Sequence, residues 1–253
     1  MNTKHIISYT APPDLLQDRV LLITGAGNGI GRALAKASAR LGARVVLLDR
    51  NLCAIEGVYD EIEDAGSPPP ALYPLDLEGA NMDDYAELAA TIKREYGRLD
   101  GLVNNAGWVS GLTPVEHYDM QRWMRVMMVN LNGPFALTHA CLGLLKAAPD
   151  PSIVFSTDDC QRAYWGAYGV AKQGILGLMR ILAAEYQGDI PIRVNAVDPG
   201  VVATDMRREN YPGEDMDSHP APEAVVGPYL YLLGPDSRGV TGLNVELGRK
   251  AQT

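Results

Sequence analysis

Short apolar runs alternate with longer amphipathic stretches along the chain, and glycine or proline often separates them. Residues 19–24 (Arg-Val-Leu-Leu-Ile-Thr) and 44–49 (Arg-Val-Val-Leu-Leu-Asp) have no polar position between their ends. Runs of that length without alternation fit strands covered on both faces of a parallel sheet. Similar runs occupy 71–75, 101–105, 152–156, 192–197 and 243–247. The stretches between them carry helical spacing. These predict helices at 32–41, 53–65, 82–96, 118–146, 166–186 and 222–233. Gly42, Gly66 with Pro68 to Pro70, and Gly97 supply the stops.

Strand and helix alternating in this way predict one α/β domain, a doubly wound parallel sheet of the Rossmann-like kind with helices on both faces. Crossovers are expected to be right-handed. The domain is expected over 19–253. Residues 1–18 are expected as an N-terminal arm or short irregular lead-in, because Pro12 and Pro13 discourage a regular helix. The polar stretch 203–221, punctuated by Pro212, Gly213 and Pro220, is expected as a long loop serving as a substrate lid or as a surface excursion.

Composition narrows the function. The chain has 253 residues, 47% hydrophobic, with a formal net charge of −9. An acidic surface disfavours non-specific nucleic-acid binding and docking on anionic membranes. Cys53, Cys141 and Cys160 lack CxxC spacing, and the four histidines are scattered, so neither a disulfide framework nor a metal site is expected. No basic-then-apolar leader opens the chain, and no apolar run reaches membrane-spanning length. The expected setting is soluble, reducing and cytoplasmic.

Candidate chemistry gathers where strands end. The turn Thr24-Gly-Ala-Gly-Asn-Gly-Ile-Gly31 follows the first strand and opens a helix. Gly25, Gly29 and Gly31 permit close backbone approach to a pyrophosphate, and the N–H groups near Ile30 would face it, with Asn28 in the turn. Asp49 ends the second strand, where an acid accepts hydrogen bonds from ribose hydroxyls and repels a 2′-phosphate. NAD is therefore favoured over NADP, although Arg50 next door could hold that phosphate. Asp76 and Leu77 end the third strand near the expected adenine, and Asn105, Ala106 and Gly107 follow the fourth. All of these fall at the carboxyl edge of the sheet, where open α/β sheets bind ligands.

Tyr168 and Lys172 stand four residues apart in a predicted helix, on one face. An ammonium beside a phenol favours the phenolate and suits it to proton exchange with a substrate oxygen.

With these motifs in order, the chain resembles the classical short-chain dehydrogenase/reductase family over about 15–248. The resemblance rests on the glycine turn, Asn104-Asn-Ala-Gly107, Asn130 within Val-Asn-Leu-Asn-Gly, Tyr168-x-x-x-Lys172, and Pro199-Gly200 with Thr204. It implies hydride transfer between NAD(H) and a small alcohol or carbonyl substrate. Tyr168 would be the general acid/base. Lys172 would lower its pKa and bind the nicotinamide ribose. Asn130 would hold a water in a relay to Lys172. Pro199, Gly200, Val202 and Thr204 would lie at the nicotinamide end. It also implies a homodimer or homotetramer, and Gly174 and Gly177 allow close helix contact.

One position departs. The family carries a serine at the end of the fifth strand, whereas this chain reads Ser156-Thr-Asp-Asp-Cys160 and places Asp158 there. The connection to Tyr168 is also about three residues shorter than the family's. An ionised Asp158 accepts hydrogen bonds and donates none, and if close it would disfavour a developing oxyanion and raise the pKa of Tyr168. A protonated Asp158, a substituting Ser156 or Thr157, and a carboxylate that holds a cationic or hydroxylated substrate are all open at this stage. So is a rival class, a nucleotide-binding regulatory or scaffold protein with a disabled site.

Overall fold

The computed structural model describes residues 3–188 and 191–248. The apolar runs form seven strands: β1 (Val20–Thr24), β2 (Arg44–Asp49), β3 (Ala71–Pro74), β4 (Gly101–Asn104), β5 (Ser152–Ser156), β6 (Arg193–Asp198) and β7 (Asn244–Glu246). They pair in parallel in the order β3-β2-β1-β4-β5-β6-β7. The order reverses between β1 and β4, so a crevice opens at their carboxyl ends.

Alternate residues of each strand feed two separate cores. Leu21, Ile23, Val45, Leu47, Val103, Val154 and Val197 face one. Leu22, Val46, Leu48, Leu102, Ile153, Phe155 and Val194 face the other. Helices α2 (Gly29–Arg40), α3 (Leu52–Asp64) and α9 (Gly227–Leu233) cover the first face. Helices α4 (Met82–Tyr96), α6 (Gly133–Lys146) and α7 (Gly166–Glu185) cover the second. Helix starts follow from capping. Asn51 accepts from Ala54 N, and Asn81 with Asp84 forms a capping box. Among the described residues no helix is long and apolar enough to cross a membrane.

Four expectations need correction. The stretch 118–146 is not one helix. It divides into α5 (Met120–Met127), a wide π-type turn (Met128–Asn132) and α6. Pro134 has no N–H to return to the carbonyl of Asn130 four residues back, so regular α-bonding is interrupted there. Residues 222–233 likewise divide into a 3₁₀ turn (Pro222–Val225) and α9, which has Pro228 in its first turn.

The stretch 203–221 is more structured than a loop. It contains helix α8 (Asp205–Asn210), whose first turn is capped by Thr204 accepting from Arg207 N at 3.2 Å. Arg207 grips Glu214 through two hydrogen bonds of 2.7 and 2.5 Å, and His219 joins the same carboxylate at 3.0 Å. The lead-in is also bound to the body. It has a short helix α1 (Lys4–Ile7), and Ile6 and Leu16 are fully buried in the core beside α9. Tyr9 Oη donates to Asp236 at 2.7 Å, which ties the lead-in to the far end of the chain.

Candidate active site

Thr24 is the joint at the crevice. As the last residue of β1 it is buried, and its hydroxyl accepts from Asn105 N at 3.0 Å and Ala106 N at 2.9 Å. Asn105 Nδ2 donates back to Thr24 O at 3.1 Å. These bonds hold the loop after β4 against the loop after β1. The turn between them is packed tightly. Gly25 has φ of 67°, and a Cβ there would lie 3.0 Å from Ala106 Cα. A Cβ on Gly31 would lie 2.0 Å from Gly25 O. Only glycine allows the backbone to fold this closely onto the first turn of α2. Asn28 caps α2 by accepting from Gly29 N at 2.6 Å, and its amide donates across to Asp205 Oδ2 on α8 at 2.6 Å.

A cleft of about 850 Å³ runs from this turn along the carboxyl edge of the sheet. Every predicted dinucleotide residue except Gly31 lines it. That group comprises Gly25, Asn28, Gly29, Ile30, Asp49, Asp76, Leu77, Asn105, Ala106, Gly107, Tyr168, Lys172, Pro199, Gly200, Val202 and Thr204. Gly31 lies beneath, where it admits Gly25 O. The backbone closeness at Gly25 and Gly31, the α2 N-terminus on the cleft and the carboxylate at Asp49 suit a dinucleotide. Asp49 Oδ2 accepts from Gly27 N at 3.0 Å and its other oxygen from Asn51 N at 3.0 Å, so this side chain also shapes the turn.

At the other end α7 presents Tyr168 and Lys172, both buried. Lys172 Nζ donates to Ser156 O at 2.9 Å and stands 5.4 Å from the centroid of the Tyr168 ring. The phenol oxygen meets Asp158 instead, donating to Oδ2 at 3.4 Å. This corrects the expected pKa effect. Burial first, then the charge of Asp158, pushes the Tyr168 phenol well above the ordinary tyrosine value. Burial lowers Lys172, and Asp158 opposes that change. Asp158 itself is raised by burial, against the pull of Lys172.

The hydroxyls of Ser156 and Thr157 point elsewhere. Ser156 Oγ contacts Asn105 Oδ1 at 3.2 Å and Tyr229 Oη at 2.9 Å, and Thr157 Oγ1 donates to Asn244 Oδ1 at 2.9 Å. Asn130 sits in the π-type turn. Its amide donates to Trp108 O and Val126 O at 2.9 and 2.8 Å, and its Oδ1 accepts from Trp108 N at 3.1 Å. Both amide hydrogens are committed to holding the 107–109 loop against α5.

Several residues escaped the sequence reading. Asp198, at the end of β6, accepts from Gly200 N at 2.9 Å and Asp159 N at 3.0 Å, so one carboxylate fixes both loops of the reacting end. Its position at a strand end was the available signal. Trp108, Trp165 and Tyr211 wall the substrate side, with Trp165 tilted against both Tyr168 and Tyr211. Arg162 lies 5.5 Å from the centroid of the Trp165 ring. Nothing in their spacing marked them. No group of three or more His, Cys, Asp or Glu among the described residues is placed to hold a metal ion. Cys53, Cys141 and Cys160 are free thiols.

Comparison with known proteins agrees with this geometry. The short chain dehydrogenase family profile matches residues 19–215. The uncharacterized oxidoreductase YciK of Escherichia coli strain K12 is 39% identical over 247 residues, which cover 96% of this chain and 97% of that protein. A short chain dehydrogenase structure from Pseudomonas syringae superposes with a TM-score of 0.93 at 46% identity, covering 95% of this chain and 98% of the other. Another, from Escherichia coli CFT073 and complexed with NADPH, gives 0.91 at 39% identity, covering 94% and 100%. The chain belongs to the short chain dehydrogenase family. It is an oxidoreductase of the NAD(P)-dependent kind, with Tyr168 at the reacting end of its cleft.

Proposed function

We propose that this protein interconverts a small alcohol and its carbonyl, with Tyr168 as general acid/base. The observation that carries this reading is a shared space: Tyr168 and Lys172 line the same cleft as the glycine turn. A bound nicotinamide would supply or accept the hydride. Tyr168 would give or take the proton at the substrate oxygen, and the Asp158 carboxyl would face the same point. Lys172 would hold the nicotinamide ribose. Asn130 braces the Trp108 loop, and a water relay to Lys172 would start from its main-chain carbonyl, which the Pro134 ring leaves without an α-helical partner. Pro199, Gly200, Val202 and Thr204 would border the nicotinamide.

The test is oxidation of NADH and NADPH against a panel of small ketones, aldehydes and sugars. Turnover above the background rate is expected with at least one class. Asp158 beside the phenol also favours a second reading, a nucleotide-binding protein with a disabled site. Tight dinucleotide binding with no turnover across the panel would select it.

NAD is proposed as the preferred dinucleotide, because the Asp49 carboxylate would meet the ribose hydroxyls and repel a 2′-phosphate. Arg50 on the cleft wall and the NADPH held by the Escherichia coli relative weigh the other way. In fluorescence titrations NADH is expected to bind about tenfold more tightly than NADPH, a difference of about 1.4 kcal/mol. Asp49→Asn keeps an acceptor for Gly27 N but removes the charge, and should bring the two affinities together. Equal affinities in the unaltered protein would remove the preference.

The partners proposed are a small-molecule substrate and further copies of this chain. Met120, Met124, Phe135, Val170 and Ile181 are exposed on α5, α6 and α7, which fits a homodimer or homotetramer. The net charge of −9 supports the absence of a nucleic-acid partner, and the free thiols fit a reducing cytoplasm.

A further inference from the structure

We propose that Asp158, in its neutral form, is a catalytic residue. Its carboxyl O–H would hydrogen-bond the reacting oxygen of the substrate beside Tyr168, where a hydroxyl side chain is expected. This rests on the hydride-transfer reading above and extends it to a group whose presence alone argues against that reading.

Three side chains compete for the place, and geometry separates them. Ser156 is buried under the strand ends, between Asn105 and Tyr229. Thr157 is buried and turned towards β7, where its hydrogen is given to Asn244. All three border the cleft, but Asp158 is the one whose side chain meets the phenol, its carboxyl accepting from Tyr168 Oη. At 3.4 Å this bond is long, so the carboxyl retains capacity for a further partner on the cleft side. The backbone holds the group in place. Asp158 O accepts from Cys160 N at 3.0 Å and from Cys160 Sγ, and Asp159 N is anchored on Asp198.

The protonation state follows from the surroundings. An ionised carboxylate cannot donate, and it would oppose the negative charge that grows on a carbonyl oxygen as hydride arrives. A neutral carboxyl can accept from Tyr168 with one oxygen and donate with the other. Lys172 and Tyr168 face it from α7. Asp159, Cys160 and Arg162 face it from its own loop, and Asp198 faces it from the end of β6. Lys172 and Arg162 favour the carboxylate. Burial is the largest influence and favours the acid, as does Asp159, and the net displacement is upward. Cys160 adds no competing charge near neutrality, because burial and then Asp158 push its thiol up to about 12.

In reduction the carbonyl carbon receives the hydride, and the carbonyl π pair moves to oxygen. That oxygen takes the proton of Tyr168, which solvent replaces. Asp158 keeps its own proton throughout and contributes a hydrogen bond, so one hydride and one proton are consumed per carbonyl. The donor is present below the raised pKa of Asp158 and is lost as pH rises through it. Reduction should therefore weaken on the alkaline side of that value.

Two measurements test this. In the full chain with 13C-labelled aspartate, the Asp158 carboxyl resonance is assigned by its disappearance in Asp158→Asn and titrated with and without NADH. A midpoint above the pH at which carbonyl reduction is assayed, so that the carboxyl is neutral there, supports the proposal. A midpoint below that pH in both states overturns it, whether or not a substrate is known. The second is the pH profile of kcat/KM for a carbonyl that is turned over. Asp158→Asn still donates but cannot titrate, so it should keep the rate within about tenfold and lose the alkaline limb tied to the NMR midpoint. Asp158→Ala should fall by about 10²-fold or more at every pH. Equal losses in Asn and Ala, or an unchanged limb in Asn, would overturn the proposal. Activity that survives Tyr168→Phe would instead defeat the assignment of Tyr168 as general acid/base on which the reading above rests, so the two failures are distinguishable.

Discussion

Tyr168→Phe is expected to lower turnover by about 10²- to 10⁴-fold, the usual loss when a positioned proton donor is removed. The substitution removes one oxygen from a buried ring and leaves the packing of Trp165 against that ring in place. Dinucleotide affinity should change little, because the turn that would hold the pyrophosphate lies at the other end of the cleft. The expected signature is a large fall in kcat with a near-constant NADH dissociation constant. It would be read from steady-state rates on a responsive carbonyl and from quenching of protein fluorescence. Unchanged turnover would mean that the substrate proton comes from elsewhere, and Asp158 would then be the first place to look.

Gly31→Ala is the second large effect. The added methyl would lie 2.0 Å from Gly25 O and 2.7 Å from Asn105 Nδ2. The first of these is backbone and cannot swing aside, so the turn or the start of α2 must move. Overpacking of this kind costs about 1–3 kcal/mol. The displaced backbone is also the proposed cradle of the pyrophosphate, so NADH affinity should fall by more than about 10²-fold, an order-of-magnitude expectation from the lost close approach. Gly57→Ala is the matched control. A methyl at Gly57 in α3 meets nothing within 4 Å, and alanine is favoured over glycine in a helix by about 1 kcal/mol. Urea unfolding should show Gly31→Ala destabilised and Gly57→Ala unchanged or stabilised. Equal NADH binding by both variants would remove the glycine turn from the site.

The sheet was legible because burial on both faces leaves a simple mark. Residues such as Val45 and Val46 point to opposite cores, yet both must be apolar, so the whole run reads as hydrophobic. The strand-end residues were legible for a related reason, since parallel strands place all their carboxyl ends on one edge. Local chemistry that depends on distant partners was less visible. Pro134 was in plain view, but a long apolar stretch from 118 to 146 outweighed it, and the turn that carries Asn130 went unseen. Residues 203–221 looked irregular because their order comes from Arg207 meeting Glu214 and Thr204 capping α8, not from hydrophobic spacing. The lead-in looked detached because Ile6 and Leu16 are isolated apolar residues whose burial is set by α9 and its neighbours, far along the chain. The lysine–tyrosine spacing was sound as geometry but misjudged as electrostatics. Sequence places Lys172 near Tyr168 and an acid, Asp158, where it raises the phenol pKa if close, but it does not reveal that the ammonium is spent on Ser156 O.

The bond from Asn28 to Asp205 has a kinetic consequence. It joins opposite walls of the cleft across 177 positions of sequence, making a hoop closed by one exposed pair of side chains. A nucleotide held as proposed above would have this pair across its exit, and a hydrogen bond to a charged group holds by only about 1.5–3 kcal/mol. A clasp of that strength opens thermally many times within an ordinary catalytic cycle. It keeps the entrance orderly without sealing it, and cofactor exchange is left to the firmer contacts on the walls themselves.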